Sequence, residues 1–379
     1  PSTIEAAPAT AEAADAEPYA TVPVEPTTDE TEPQDGKVVS SSRLVEEIIV
    51  TAQKREEQIQ DVPVSVAAFS SEQLSALGVE STQDLGRVTP GLQFSGFAGF
   101  TLVYLRGVGT DSFLPYSDPS VATYIDGLYI PAQQGLVNSF GGVERVEVLK
   151  GPQGTLFGRN STGGAINVIT KSPDQSTEIS AQVEAGNFNT RKAQVYASFP
   201  ITDTFAASVS GIYNEEDPYY RQVTENLGPS ELPPADSLKG DRSEGARVKL
   251  RWTPTDNLDL GLSGYRLIQE GSSSTISALT NPSLLATGLG IEPEVRDYEF
   301  HRNEPTTLKV NNSTVAANAT WTLSRFDLKL IGGYQNIITD DAFYDFDQSA
   351  KDLVSFFTRN AYNRVSTGEF QITSNDQSW

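Results

Sequence analysis

Catalysis of the familiar kinds has few residues to work with in this chain. There is no cysteine and a single histidine, His301, so neither a thiol nucleophile nor a Ser-His-Asp relay has its parts. One imidazole in a polar stretch is also too little for a catalytic zinc, which usually draws on several. The acidic run at 339–347, TDDAFYDFD, offers carboxylates at Asp340, Asp341, Asp345 and Asp347. It lacks the fixed glycine and closing glutamate of an EF-hand loop and reads as a solvated loop or strand margin. Five glycines (Gly151, Gly154, Gly158, Gly163 and Gly164) crowd the stretch 143–171, VERVEVLKGPQGTLFGRNSTGGAINVITK. They do not form a phosphate cradle, because no Gly-Lys-Ser/Thr follows them and no long helix opens after them. They read as tight turns between two β-runs, 143–149 and 165–170.

The chemistry that remains is recognition. In VEEIIVTAQ, residues 45–53, the apolar Ile48, Ile49 and Val50 stand between polar flanks. Such a run reads as an edge strand, open to pairing by another chain. Phe94, Phe97 and Phe100 in FSGFAGF, and Phe113 and Tyr116 in SFLPYSD, lie in segments broken by glycine or proline. These segments are candidates for loop apices that touch a ligand, although aromatics serve equally as ordinary core. Tyr104, Tyr124 and Tyr129 could line the same vestibule. Arg106, Arg145, Lys150 and Arg159 require carboxylate partners wherever they are buried.

The elements that must position these groups fall into three zones. Residues 1–36 carry nine acids, six prolines and no Lys or Arg, a composition unable to build a core. Residues 1–44 are accordingly expected to form a disordered, acidic, Pro-rich segment. The next zone mixes short strands with two short helices. Residues 61–69 read as a strand; Ser70 caps a helix over 70–78 with Gln73 three residues on, and Gly78 ends it. A second helical turn is expected over 82–86, and Asp126-Gly127 marks a hairpin inside 122–130. From 174 onward the pattern changes to strict alternation, as in EISAQVEA at 178–185, with short and long connections interleaved. Later runs are expected at 315–323, 326–334 and 362–373. One apolar and one polar face per strand is what an outer-membrane barrel requires, and a soluble β-sandwich would need a second apolar face. Residues 175–379 suffice for roughly eight to ten strands, whereas plugged outer-membrane transporters have about 22. The barrel is therefore expected to be incomplete, the N-terminal part of a longer, processed protein. A net charge of -23 argues against nucleic acid as a partner.

The order of these pieces resembles the TonB-dependent outer-membrane receptors: box, strand, helix, Leu105-Arg106-Gly107 strand, Asp126-Gly127 hairpin, glycine-rich end, then barrel. The resemblance covers the whole of 45–171 and implies a small α/β plug domain followed by an antiparallel transmembrane β-barrel. Its domains would be a coupling strand at 45–53, a plug at 54–173 and the first part of the barrel at 174–379. Glu47, Ile48, Ile49, Val50, Thr51 and Ala52 match the TonB box, which the periplasmic TonB energy-coupling protein captures on behalf of its inner-membrane motor. Arg106 matches a basic plug residue that pairs with acids on the barrel wall. Lys150 stands where arginine is usual, so its pairing would be single-pronged. The resemblance implies a receptor of the Gram-negative cell outer membrane, not an enzyme, that imports a scarce small-molecule nutrient. It implies no resident cofactor and no metal site; the expected cargo is a ferric siderophore, which brings its own iron ligands. Cobalamin or an oligosaccharide would suit the same mechanism. The rival classes are a passive porin or adhesin, needing neither box nor plug, and a soluble hydrolase with paired carboxylates.

Overall fold

The computed structural model describes residues 48–79, 81–97, 100–110, 118–131, 142–218, 221–222, 240–271, 299–300, 307–345 and 355–374. The acidic segment 1–44, Glu47, Phe113, Tyr116, His301 and Asp347 lie outside the described residues.

The smaller part is organised around one five-stranded sheet. Its strands are β3 (Ser65–Ser70), β7 (Val121–Ile125), β8 (Leu128–Ile130), β9 (Val143–Lys150) and β10 (Gly164–Thr170), in the order β3-β9-β10-β7-β8. Only β10 and β7 run parallel; β9 pairs antiparallel with both β3 and β10. Alternation in β9 and β10 sends Val146, Val148, Ile166 and Val168 to one face and Leu149 and Ala165 to the other, and both faces are covered. On the first face lie α1 (Ser71–Ala76), α2 (Leu85–Val88) and a small sheet of β4 (Leu92–Phe97), β5 (Phe100–Leu105) and β6 (Val108–Gly109). On the second face lie a hairpin of β1 (Ile49–Val50) and β2 (Glu57–Gln58), and the single turn α3 (Gly154–Phe157).

Local chemistry explains most boundaries. Ser70 and Gln73 close the expected capping box, and Gly78 at φ +64° ends the helix region. The second helix starts later than expected because Asp84 accepts bonds from the Ser81 amide and hydroxyl, holding 81–84 in a turn. Asp126 and Gly127, at φ +50° and +81°, make the tight β7–β8 hairpin. Gly164, at φ +143°, lies so close to the Leu149 carbonyl and the Leu105 side chain that a Cβ has no room.

The larger part is one antiparallel sheet of eight strands. In order these are β11 (Glu178–Ala185), β12 (Arg191–Thr202), β13 (Phe205–Glu216), β15 (Asp241–Thr255), β16 (Leu258–Gly271), β18 (Thr307–Thr322), β19 (Phe326–Asp345) and β20 (Ser355–Ser374). Two-residue strands β14 (Arg221–Gln222) and β17 (Glu299–Phe300) pair parallel beyond the ends of these strands. The later strands extend past their apolar runs, and 339–345, expected to be a loop or strand margin, is the continuation of β19. Asn311 donates to Asp340 there, so that acid serves the wall's own bonding.

This wall is inside out compared with a soluble protein. Ser198, Ser208, Ser210, Asn312, Thr314 and Gln335 are buried, facing the small domain. On the opposite face Ile179, Val183, Phe370 and Ile372 are 62% exposed or more. Phe205, Trp252, Trp321 and Phe326 cluster on that outer face beside the short turns at 203–204, 256–257 and 323–325. An apolar outer band rimmed by aromatics at the short-turn end is the surface that a lipid bilayer covers. The small domain, nested against the polar inner face, is a plug.

Candidate functional site: the hairpin and turn that tie the plug to the wall

The box-like segment does not stand free. Sequence reading expected an unpaired edge at 48–50, but Ile49 and Val50 pair with Gln58 and Glu57 in the β1–β2 hairpin. Val50 and Ala52 are buried against Leu149, Ala165, Ala122 and Phe157, whereas Ile49 is 47% exposed. The reason is that the second plug face would otherwise present apolar side chains to water. Burying one valine there contributes about 2 kcal/mol.

A buried carboxylate fixes the hairpin further. Glu147, fully buried in β9, accepts the Thr51 amide at 2.8 Å and the Thr51 hydroxyl at 3.0 Å. Arg145 Nε donates to it at 2.9 Å, and Asn167 Nδ2 reaches both Glu147, at 3.4 Å, and the Thr51 hydroxyl, at 2.8 Å. Sequence reading passed over Glu147, although a signal existed. It lies between Val146 and Val148 in a strand whose two faces are both apolar, where an acid must find donors.

Three residues on, the hairpin is tied to the wall. Lys54, in the left-handed region at φ +64°, places Nζ 4.7 Å from the Tyr124 ring centre and 4.6 Å from that of Phe157. The same ammonium pairs with Glu369 of β20 at 3.2 Å. Burial pushes Lys54 below the ordinary lysine pKa, while Glu369 pulls it partly back. Burial also pushes the Tyr124 hydroxyl up, so the ring beneath the ammonium stays neutral.

A second tie lies at the β7–β8 turn. Asp126 accepts the Thr170 amide at 2.8 Å and hydroxyl at 2.7 Å, and pairs with Lys249 of β15 at 3.0 Å. Burial opposes its ionisation, but Lys249, Arg247 and Thr170 together outweigh that and hold its carboxyl below the usual range. Beside it Leu128 fills the space left by Gly333 in β19, where a Cβ would stand 2.6 Å from the leucine methyl.

The expected plug charges sit elsewhere. Arg106 donates to Ser65 Oγ at 2.9 Å and Lys150 to the Pro90 carbonyl at 3.3 Å. Burial lowers the Lys150 pKa, and the neighbouring Arg106 lowers it further, so the two cations are close. Neither pairs with an acid among the described residues. Among the described residues the ion pairs to the wall come from Lys54, Asp126 and Lys171, the last with Glu178 of β11, none of which sequence reading singled out for this role. Arg145 is paired with Glu147 and Glu144, and Arg159 with Asp118 at 2.9 Å.

Of the aromatic candidates, Phe94 packs on the plug core beside Val88 and is no exposed apex. Phe97 and Phe100 pair at the tip of the β4–β5 hairpin. Tyr124 and Tyr129 meet with tilted rings, 5.5 Å between centres, on the hairpin-covered face and do not line an outer vestibule.

An open eight-stranded wall with an apolar exterior, packed against a small α/β sheet, has the architecture of part of a plugged outer-membrane β-barrel. Residues 58–165 match the family described as the TonB-dependent Receptor Plug Domain. The pesticin receptor of Yersinia pestis is 32% identical over 213 residues, 55% of this chain and 30% of that protein. The iron-regulated outer membrane virulence protein of Vibrio cholerae is 28% identical over 189 residues, 47% of this chain and 29% of its own. The crystal structure of the ferric yersiniabactin uptake receptor FyuA from Yersinia pestis superposes with a TM-score of 0.62 at 23% identity, covering 74% of this chain and 42% of that one. The chain therefore spans less than half the length of these relatives. Residues 58–165 thus match the plug domain of the TonB-dependent receptors, and the eight-stranded sheet has the fold of part of such a receptor's wall.

Proposed function

We propose that this chain is the gate region of an energy-coupled importer, whose cargo is a ferric siderophore. The observation that carries the reading is the β1–β2 hairpin. A segment with the residues of a coupling box is folded onto the plug's second face as a two-stranded hairpin, where a pull would act on it. The TonB energy-coupling protein would capture Glu47, Ile48, Ile49, Val50, Thr51 and Ala52 as an added strand, and its inner-membrane motor would draw the hairpin away. Binding sites for cargo would lie on the far side of the plug, with Phe97, Phe100, Phe113 and Tyr116 the candidates at its apices. Arg106 and Lys150, two close cations without acid partners among the described residues, would pair with carboxylates on other wall strands. The iron cargo is supported by the matched relatives, one named for iron regulation and one for ferric yersiniabactin uptake.

The test is uptake by cells carrying the full-length receptor with or without residues 47–52, supplied with ferric siderophores including ferric yersiniabactin, cobalamin or oligosaccharides. Uptake of a ferric siderophore that is lost with the segment is the expected result. Uptake that survives the deletion would sink energy coupling and leave a passive pore.

A further inference from the structure

The lipid-facing side of the wall carries, away from the short turns, cations that the import reading does not use. Arg266 of β16, Ser313 of β18, Asn336 of β19 and Arg364 of β20 stand opposite one another in register and form one row across four strands. Alternation puts them on the apolar side, because Leu262, Val315, Tyr334 and Tyr362, of the same parity, are each 47% exposed or more. Arg266 and Arg364 are themselves exposed. Arg364 Nε donates to Asn336 Oδ1 at 3.4 Å, and its guanidinium lies 5.5 Å from the Tyr362 ring centre. Neither arginine pairs with an acid among the described residues. The neighbouring Arg242 does, with Glu244 at 2.8 Å, and so does Lys309, with Glu270 at 2.5 Å.

Depth decides what these arginines meet. Arg266 is eight residues along β16 from Leu258, the strand's end at a short turn. Arg364 is ten residues along β20 from Ser374, which pairs with Phe326 at the aromatic rim. At about 3.4 Å per residue and a tilt of about 40°, they stand about 21 and 26 Å above the rim. The apolar band of a barrel is about 25 Å tall, so both guanidiniums lie at its far border, level with lipid headgroups rather than acyl chains. Three strand spacings separate the two arginine backbones, about 14 Å. The geometry points to a headgroup site on the Arg266-Ser313-Asn336-Arg364 row for a lipid of the outer leaflet that carries two phosphates. Each guanidinium takes one phosphate through paired hydrogen bonds, the match that its planar fork provides. The Ser313 hydroxyl and Asn336 amide bond the headgroup between them. The phosphates supply the countercharge that Arg266 and Arg364 lack on a face turned to lipid. This tie to the leaflet is independent of what passes through the barrel and holds equally for a passive pore.

The test uses the folded full-length receptor in a neutral detergent. The probes are an acylated diglucosamine lipid with two phosphates, its one-phosphate counterpart and the phosphate-free form, with binding read by native mass spectrometry. The two-phosphate lipid should bind about tenfold more tightly than the one-phosphate lipid, the scale of one charge-assisted hydrogen-bonded pair. Arg266→Gln and Arg364→Gln, made singly, should each reduce that preference to about twofold or less. Arg242→Gln should leave the preference intact, because Arg242 already has its acid. Removing a charge from the lipid-facing wall eases membrane insertion, so lost binding in these variants is not a folding defect. Equal affinity for the one- and two-phosphate lipids would overturn the site. So would a loss in Arg242→Gln as large as that in Arg266→Gln, which would reduce the row to a share of the wall's general positive charge.

Discussion

Glu147 holds the coupling segment with its charge as well as its shape. A fully buried carboxylate costs several kcal/mol of desolvation, which Thr51, Arg145 and Asn167 offset. Glu147→Gln would leave the largely buried Arg145 with only Glu144 as an acid partner, and we expect a loss of about 3 kcal/mol in plug stability. Thr51→Val removes the hydroxyl bonds and keeps the amide one, so its loss should be about 1 kcal/mol. Urea titration of the plug, followed by a fluorophore at position 49, measures both; equal losses would mean that the charge is not what holds the segment. Asp126 adds a pH dependence. Its carboxyl is held below the unfolded value of about 3.9, so its stabilising effect is present above that pH and fades as pH falls through the lower folded value. Asp126→Asn should therefore cost about 1.5 kcal/mol at neutral pH, and the difference from wild type should vanish in strong acid. A difference that persists unchanged at low pH would show that the carboxylate's charge is not involved. Neither residue was legible as a tie from the sequence. Their partners are far along the chain, Thr51 from Glu147 and Asp126 from Lys249, and alternation alone does not say which strands meet.

At the scale of elements, the β7–β8 hairpin and β19 fit as knob and hole. Asp126-Gly127 was visible in the sequence as a turn because only certain residues accept positive φ. That the turn would dock on Gly333 was not, since a glycine inside a strand signals close approach without naming what approaches. Gly333→Ala would put a methyl 2.6 Å from Leu128 and should cost about 1–3 kcal/mol through overpacking. Leu128→Ala alone should cost about 2–4 kcal/mol by opening a cavity. Together the two should cost clearly less than the sum, because the smaller side chain makes room for the added methyl. Thermal melts of the four proteins in lipid give the cycle, and strict additivity would show that the two positions do not touch. The box strand illustrates the opposite limit of local reading. Its β character was plain from Ile48, Ile49 and Val50, yet its burial was decided by the uncovered apolar face of a sheet assembled from 65–170.

For the whole molecule, the wall was the most legible part because its two solvents, lipid outside and plug inside, impose alternation on every strand. Strand lengths were less so: β18, β19 and β20 continue through polar residues such as Asn311 and Asp340, where neighbouring strands supply the bonds and apolar periodicity fades. The outer face should nonetheless obey depth. Leu330, 55% exposed in β19, is four residues from Phe326 at the aromatic rim, about 13 Å along the strand. With strands tilted by about 40°, that places it near the middle of a band about 25 Å tall. Ile372 faces the same way on β20 beside Leu328, two residues nearer the rim. Leu330→Arg should cost about 2–4 kcal/mol of stability in a bilayer, and Ile372→Arg appreciably less because its guanidinium can reach the interface. Folding equilibria of the full-length barrel into vesicles distinguish the two. Equal penalties would mean that the bilayer does not sit where the aromatic rim puts it.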